Sequence, residues 1–415
     1  MLRTRLTIRL IFALLAASPV AGQDLAKPSN SVRFATFNAS LNRSARGELA
    51  RDLATPDDRQ IRNVAEIIQR VRPDVLLINE FDFDADDASG GSVGAKRFLV
   101  NYLRHGQNGA EAIDYPHVFV PKVNTGIATG VDLDKDGRAV TDPGSRGYGN
   151  DAQGFGQFPG QYGFVIYSKF PFESSFGDFQ TLLWKNVPGA LLPTKPDGTP
   201  WYSPAALDVL RLSSKNHCDV AVRVGDKLIH ILASHPTPPA FDGPEDRNGR
   251  RNFDEIRLWA DYLTGGAKAE YLAPFVKLPP GTRVAGPETF VLMGDMNADP
   301  ADGGSVVGAI QQLLDHPKIQ APPAPRSDGA AEASRLQQGA NARHKGDPAV
   351  DTADFNDDSV GNLRADYVLP SRNLKVLGTG TFWPTASDPL ARLVVMTPKV
   401  ASSDHRLVYL DVAIP

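Results

Sequence analysis

The run Phe290-Val291-Leu292-Met293-Gly294-Asp295-Met296-Asn297 decides how this chain is read. Its apolar half is a short buried strand, and the strand stops abruptly at a glycine. Alternate side chains of an extended segment point the same way, so Asp295 and Asn297 are delivered together to one rim. Nearer the C-terminus, Ser402-Ser403-Asp404-His405 offers a second carboxylate beside an imidazole. A carboxylate orients or deprotonates a water, an amide donates to charged oxygens, and an Asp-His pair supplies a metal ligand or second acceptor next to an imidazole donor. Those are the groups that metal-assisted phosphodiester cleavage requires.

Other strand-like runs end in polar residues in the same way. Residues 32–37 lead into Asn38, residues 75–78 lead through Asn79 into Glu80, and residues 228–232 lead through Ala233-Ser234 into His235. Between the first two, Ile61, Val64, Ala65, Ile67, Ile68 and Val71 have the spacing of an amphipathic helix over residues 59–71, closed by Pro73. Strand, helix and strand make a βαβ-like start. A second helix is expected over 254–263, stopped by Gly265-Gly266, and strands are expected at 365–369, 393–396 and 406–412.

The N-terminus carries a separate signal. Arg3, Arg5 and Arg9 precede an apolar stretch from Leu10 to Ala17, followed by Ser18-Pro19-Val20-Ala21-Gly22. This pattern is a secretory signal peptide over residues 1–22, because the apolar run is far shorter than the roughly 20 residues of a membrane span. The expected location is secreted or periplasmic, and no later run invites stable membrane insertion. Residues 23–415 read as a single elaborated domain with inserts near 124–160 and 319–346. Hydrophobic residues at 41% and charged residues at 22% give ample material for a core. A net charge of −4 argues against a generally basic nucleic-acid binder, while leaving room for a local cationic patch. With Cys218 as its one cysteine the chain has no intramolecular disulfide, and a monomer is expected.

The ordered blocks Phe37-Asn38, Asn79-Glu80, Tyr162-Gly163 with Ser168-Lys169-Phe170-Pro171, Ser234-His235, Gly294-Asp295-Met296-Asn297, Arg364-Ala365-Asp366-Tyr367 and Ser403-Asp404-His405 resemble the endonuclease/exonuclease/phosphatase superfamily. That superfamily includes deoxyribonuclease I, abasic-site endonucleases, bacterial sphingomyelinases and inositol polyphosphate 5-phosphatases. The resemblance extends over residues 32–412. It implies a four-layered α/β sandwich, two packed and mostly antiparallel sheets flanked by helices, with strand-end loops forming one cleft. It also implies a magnesium (or manganese) ion held by Glu80, with Asn38 beside it and Asp404 on its outer side. Asp295 would orient and activate water, Asn297 would hold the phosphoryl oxygens, and His405 would donate to the phosphate with Asp366 fixing its tautomer. His235 resembles the second histidine of the deoxyribonuclease and sphingomyelinase branches and would protonate or stabilise the leaving oxygen.

Two segments add to this pattern. Asp132-Leu133-Asp134-Lys135-Asp136-Gly137 begins like a calcium loop, with Asp132, Asp134 and Asp136 as the calcium ligands, but its twelfth position is Pro143 where a bidentate glutamate belongs. The glycine- and aromatic-rich run 154–163 ends at Tyr162, expected to wall the cleft and touch substrate. Arg247, Arg250 and Arg251, after His235 and before the second helix, are the candidate phosphate contacts. The stretch 319–346 reads as a flexible excursion. The function expected is an exported metal-dependent phosphoesterase using in-line water attack, a phosphodiesterase or nuclease first, with a phosphate ester and nucleic acid among the candidate substrates. The alternatives are a phosphomonoesterase acting on sugar, inositol or nucleotide phosphates and, from another class, a catalytically silent phosphate-binding module.

Overall fold

The structure is a computed structural model that describes residues 25–83, 92–279, 281–396 and 400–413. The expected signal peptide lies outside these residues. In chain order the strands are β1 (Ser31–Leu41), β2 (Val75–Phe81), β3 (His117–Phe119), β4 (Phe164–Ser168), β5 (Phe172–Asp178), β6 (His217–Val224), β7 (Lys227–Ser234), β8 (Phe290–Asp295), β9 (Ala353–Asp354), β10 (Asn362–Leu363), β11 (Asp366–Pro370), β12 (Val376–Thr381) and β13 (Val408–Ala413). One sheet has the order β12-β13-β1-β2-β4-β3, the other β11-β8-β7-β6-β5, and β9 and β10 form a short ribbon.

Each sheet is antiparallel except at its centre, where β1 pairs in parallel with β2 and β7 in parallel with β8. A parallel pair needs a crossover, and each is supplied by a helix. The first, Arg59–Val71, has the predicted bounds: the Asp58 side chain accepts from Ile61 N at its start, and Arg72 ends it in a left-handed conformation just before Pro73. The second, Arg247–Thr264, begins well before the predicted residue 254. Its first turn is anchored from outside by the Asp242 carboxylate, which accepts from Asn248 N at 2.6 Å.

Strand alternation sorts the core into layers. Val32, Phe34, Val75, Leu77, Ile229, Ile231, Val291 and Met293 fill the space between the sheets. On the far face of the first sheet, Phe37, Leu76 and Ile78 pack on Ile61, Val64 and Ile68 of the first helix. On the far face of the second, Leu232, Phe290 and Leu292 pack on Ile256, Trp259 and Leu263 of the second helix. These are the four layers of the α/β sandwich, and each fully buried Leu, Ile or Phe contributes roughly 1.5–3 kcal/mol.

Two expectations are corrected. Residues 393–396 are not a strand: Asp388 caps a short 3-10 turn, Pro389–Leu393, which buries Leu393 against the first helix layer. Nor is 319–346 a structureless excursion. It contains the helix Asp328–Gln337, started by the Ser327 hydroxyl, with Ala330 packed in the core and Gly329 so close to Trp383 O that a Cβ there would lie 2.1 Å away.

Candidate active site

The rows that fill the space between the sheets run out of apolar residues at one end. Along β1, Val32 and Phe34 give way to Thr36 and Asn38; along β2, Val75 and Leu77 give way to Asn79. Ile231 and Ala233 are followed on the same face by His235, Val291 and Met293 by Asp295, and Val368 is preceded by Asp366. Each polar residue continues a core-facing row, so all of them meet in one buried patch. Gly294 makes this approach possible: its φ is 152°, and a Cβ there would lie 2.0 Å from Ser234 O.

Asp295 is the hub. Its Oδ2 accepts from Asn38 Nδ2 at 3.0 Å and lies 3.3 Å from His235 Nε2 and 3.6 Å from His405 Nε2. Its Oδ1 accepts from Asn297 N at 2.9 Å. Burial alone would raise its pKa, but His405 and His235, together with these hydrogen bonds, hold the carboxyl well below the usual carboxylate range. The Asn297 amide spends one N–H on Pro236 O at 3.2 Å. Because Asp295 is an acceptor, His235 presents Nε2–H to it, which leaves His235 Nδ1 buried with no partner among the described residues. Burial, then the charge of Lys215, lower the His235 pKa against the pull of Asp295.

His405 is held from its other side, Nδ1 lying 2.9 Å from Asp366 Oδ2. Thr352 Oγ donates to the same oxygen at 2.9 Å and accepts from the backbone N of Asp366, so the carboxylate is fixed before the histidine meets it. Burial would lower the His405 pKa; the Asp366 and Asp295 carboxylates overturn that and raise it well above its usual value. Burial in turn raises Asp366, with His405 opposing. Arg364 does not pair with Asp366. Its guanidinium lies over the Tyr367 ring, 4.6 Å from the centroid.

On the neighbouring strand end, Glu80 has a φ of 57° and accepts from Asn42 Nδ2 at 2.8 Å through Oε2. Asp404 accepts through Oδ1 from Ser40 Oγ at 3.2 Å, and Ser403 Oγ donates to Asn38 O at 2.6 Å, tying this loop to β1. The remaining oxygens, Glu80 Oε1 and Asp404 Oδ2, accept no hydrogen bond from the described residues. Two part-exposed carboxylates with open oxygens beside an amide suit a hard divalent cation. In the tighter group Asp295, Asp366 and His405, whose ligand atoms lie within 4.8 Å of one another, the imidazole faces both carboxylates, which suits proton handling; Asp366 Oδ1 is left buried without a partner among the described residues. Tyr162 lies within electrostatic reach of Glu80, at a φ of 57°, with its N–H on Asp82 Oδ1. Of the 11 described non-glycine residues at positive φ, Glu80, Tyr162 and Asn297 are predicted site residues; such strain is stored where function over-determines the backbone.

The second helix positions this centre through polar residues on one face. Asn252 Nδ2 donates to Thr237 O at 2.8 Å and Met296 O at 2.9 Å, clamping the loop after His235 to the loop after Asp295. Glu255 accepts from Ser214 N and Thr237 N, each at 2.6 Å, and Trp259 Nε1 donates to Ser234 Oγ at 2.9 Å. Asn252, Glu255 and Trp259 stand at i, i+3 and i+7, a spacing visible in the sequence once the helix start is known.

Of the three candidate arginines, all on this helix, Arg251 is the most heavily hydrogen-bonded to protein. Its Nε donates to Leu212 O at 2.8 Å and its Nη2 to Gln153 O at 2.5 Å and Arg211 O at 2.8 Å, which makes it a buried strut between the helix and the loops around it. Arg247 pairs with Glu245, and Arg250 makes no ion pair with a described residue. The Asp132, Asp134 and Asp136 carboxylates converge as expected, and they also hold their own loop, Asp132 accepting from Lys135 N and Gly137 N.

A buried Asp-centred pair of imidazoles beside open carboxylate oxygens, at one end of a two-sheet sandwich, defines a hydrolase of phosphoric esters. The family model described as Endonuclease/Exonuclease/phosphatase family matches residues 35–405, and the chain belongs to that family of metal-dependent phosphoester hydrolases. Among solved structures it is similar to an endonuclease/exonuclease/phosphatase from Beutenbergia cavernae (17% identity, 93% of this chain and 72% of that chain covered, TM-score 0.46). It is also similar to sphingomyelinase C from Streptomyces griseocarneus (14%, 92% and 99%, TM-score 0.39) and to D. rerio TDP2 complexed with a single-strand DNA product (11%, 92% and 99%, TM-score 0.42). No curated protein matches. Among the described residues no helix is long and apolar enough to cross a membrane.

Proposed function

We propose that the protein is an exported phosphodiesterase that hydrolyses a P–O bond by in-line attack of water, with no covalent enzyme intermediate. The observation that carries this reading is the pair of imidazoles facing one Asp295 oxygen with opposite protonation tendencies. His405, its pKa raised, is the imidazolium that donates to a phosphoryl oxygen, with Asp366 and Thr352 holding its ring. Asp295, held ionised, is a weak base but a strong acceptor, so its main work is to orient the attacking water and both rings. Asn297 offers its second amide N–H to the phosphoryl group, and Tyr162 walls the cleft. His235, its ring oriented by Asp295, is the group assigned to the leaving oxygen.

Asn38, Glu80 and Asp404 would hold the divalent ion, magnesium or manganese. When bound, such an ion supplies positive charge to the phosphoryl oxygens. Diester cleavage is placed before monoester cleavage because His235 resembles the second histidine of the deoxyribonuclease and sphingomyelinase branches; as a second proton donor it would assist an alkoxide leaving group. Its lowered pKa makes that donor scarcer as pH rises, so cleavage of alkyl diesters should decline with pH earlier than cleavage of nitrophenyl esters.

The test is a metal-dependent activity screen over DNA, RNA, bis(p-nitrophenyl) phosphate and monoesters, repeated with His235→Ala. We expect the variant to lose cleavage of alkyl diesters by about 10²-fold or more while sparing the nitrophenyl diester. Equal loss on both would move His235 to phosphate binding. Monoester turnover far above any diester turnover would replace the phosphodiesterase by a phosphomonoesterase.

A further inference from the structure

Lys215 is 7% exposed, yet its ammonium makes no hydrogen bond and no ion pair with any described residue. Nor is that nitrogen among the unpartnered side-chain nitrogens sealed from solvent, so it keeps a narrow contact with solvent. An unpaired charge in such a position is costly, and a protein retains one where a partner arrives from outside. The backbone around it is fixed. Lys215 O accepts from Asn124 N at 2.8 Å, Ser214 N donates to Glu255, and Asn216 Nδ2 donates to Lys122 O at 2.9 Å and Asp178 Oδ1 at 3.0 Å.

The register locates the residue. His217 pairs with Ser234 at the start of β6, so the segment just before β6 runs beside the segment just after β7, which carries His235. The charged groups within its electrostatic reach are Glu255, Glu80, Asp295 and Arg251, and it acts in turn on His235. None of the buried carboxylates is free to take it. Glu255 spends its two oxygens on Ser214 N and Thr237 N, and Asp295 spends its two on Asn38, Asn297 and the imidazoles.

We propose that Lys215 is a further substrate-contacting residue of this centre, its ammonium binding an oxyanion of the phosphoryl group on the His235 side of the site. The proposal rests on the phosphodiesterase reading for its role in turnover, but phosphate binding by Lys215 does not require turnover. It gives the site a second cation besides His405, set by the fold and independent of any metal ion. An oxyanion that develops on the leaving oxygen then meets a fixed positive charge as well as the His235 ring.

The experiment uses Lys215→Met and Lys215→Arg in the full chain, with magnesium present and inorganic phosphate as the probe. For Lys215→Met we expect phosphate affinity, measured by titration calorimetry, to fall by about tenfold or more and kcat/KM on bis(p-nitrophenyl) phosphate to fall by roughly 10²-fold. Lys215→Arg should recover part of both. A shift in melting temperature with unchanged phosphate affinity would make Lys215 a structural counter-charge and overturn the proposal. Should Lys215→Met not fold, reductive methylation of the wild-type protein, mapped by peptide mass spectrometry, replaces it: phosphate must slow labelling of Lys215, and equal labelling with and without phosphate refutes the contact. A wild type that binds phosphate through Lys215 but hydrolyses no ester removes the phosphodiesterase reading alone, whereas one that hydrolyses diesters but binds no phosphate removes the Lys215 contact alone.

Discussion

Replacing Asp351 by asparagine should stabilise the protein by an amount that grows with pH. Asp351 is 6% exposed and makes no side-chain hydrogen bond with a described residue; burial, then the charges of Asp299, Asp302 and Asp347, push its carboxyl up to about 8. In the unfolded chain the same group titrates near ~3.9. Between those values the folded state holds a proton that the unfolded state has lost, so the unfolding free energy falls by about 1.4 kcal/mol per pH unit across that window and is flat outside it. At pH 7 the loss amounts to about 4 kcal/mol as an upper bound, and side-chain relaxation toward solvent reduces it to about 2 kcal/mol. Asparagine has no proton to lose. Urea unfolding of both proteins at pH 5, 6, 7 and 8 should give a difference that widens with pH and nearly vanishes at pH 4. Parallel stability curves across that range would refute the assignment of a raised carboxyl to this position.

The other expectations concern the active site. Asp295→Asn should keep the fold and lower turnover by about 10²–10⁴-fold, because an amide carries no charge and must turn its NH2 toward either the imidazoles or Asn297 N–H; a loss under about tenfold with chemistry rate-limiting would demote Asp295 to a structural role. In Glu80→Ala, activity and calorimetric magnesium affinity should fall together without a change in the circular dichroism spectrum, and unchanged metal affinity would move the ion elsewhere. Arg251→Ala should cost at least about 2 kcal/mol in denaturant stability, since it strips three carbonyls of their donor, while phosphate affinity stays at the wild-type value. A fall in phosphate affinity without loss of stability would restore Arg251 as a ligand.

What the sequence revealed of the site follows from strand periodicity. Asn38, Glu80, His235 and Asp295 stand at the ends of apolar runs, and a period of two delivers such residues to one edge whatever the sheet order. The helix over residues 59–71 was legible because Asp58 and Pro73 punctuate it. Residues 393–396 looked like a strand because Leu-Val-Val-Met is apolar and β-branched, but Asp388-Pro389 starts a helical turn there, a tertiary use of local capping that propensity does not weigh. The second helix reads shorter in the sequence than it is because Arg247-Asn248-Gly249-Arg250-Arg251-Asn252 is polar and contains glycine, although Arg251 is buried and Asn252 fully so. Lys215 was invisible for a related reason: a lysine next to a strand is ordinarily solvated, and its burial depends on Asn124 and Glu255, remote in sequence.

The pairing of β1 with β13 also sets when the active site comes into being. The residues that meet there are spread from Asn38 to His405, and the last of them are carried on the loop that leads into β13. During synthesis the Asp295 hub can form with Asn38 and His235, but His405, and Asp404 at the open carboxylate pair, arrive only as the final strand inserts between β12 and β1. Closing contacts over so long a separation is slow. A nascent or truncated chain ending before Asp404 therefore lacks the two residues that complete this cluster, and one ending before β13 lacks the strand that holds them in place.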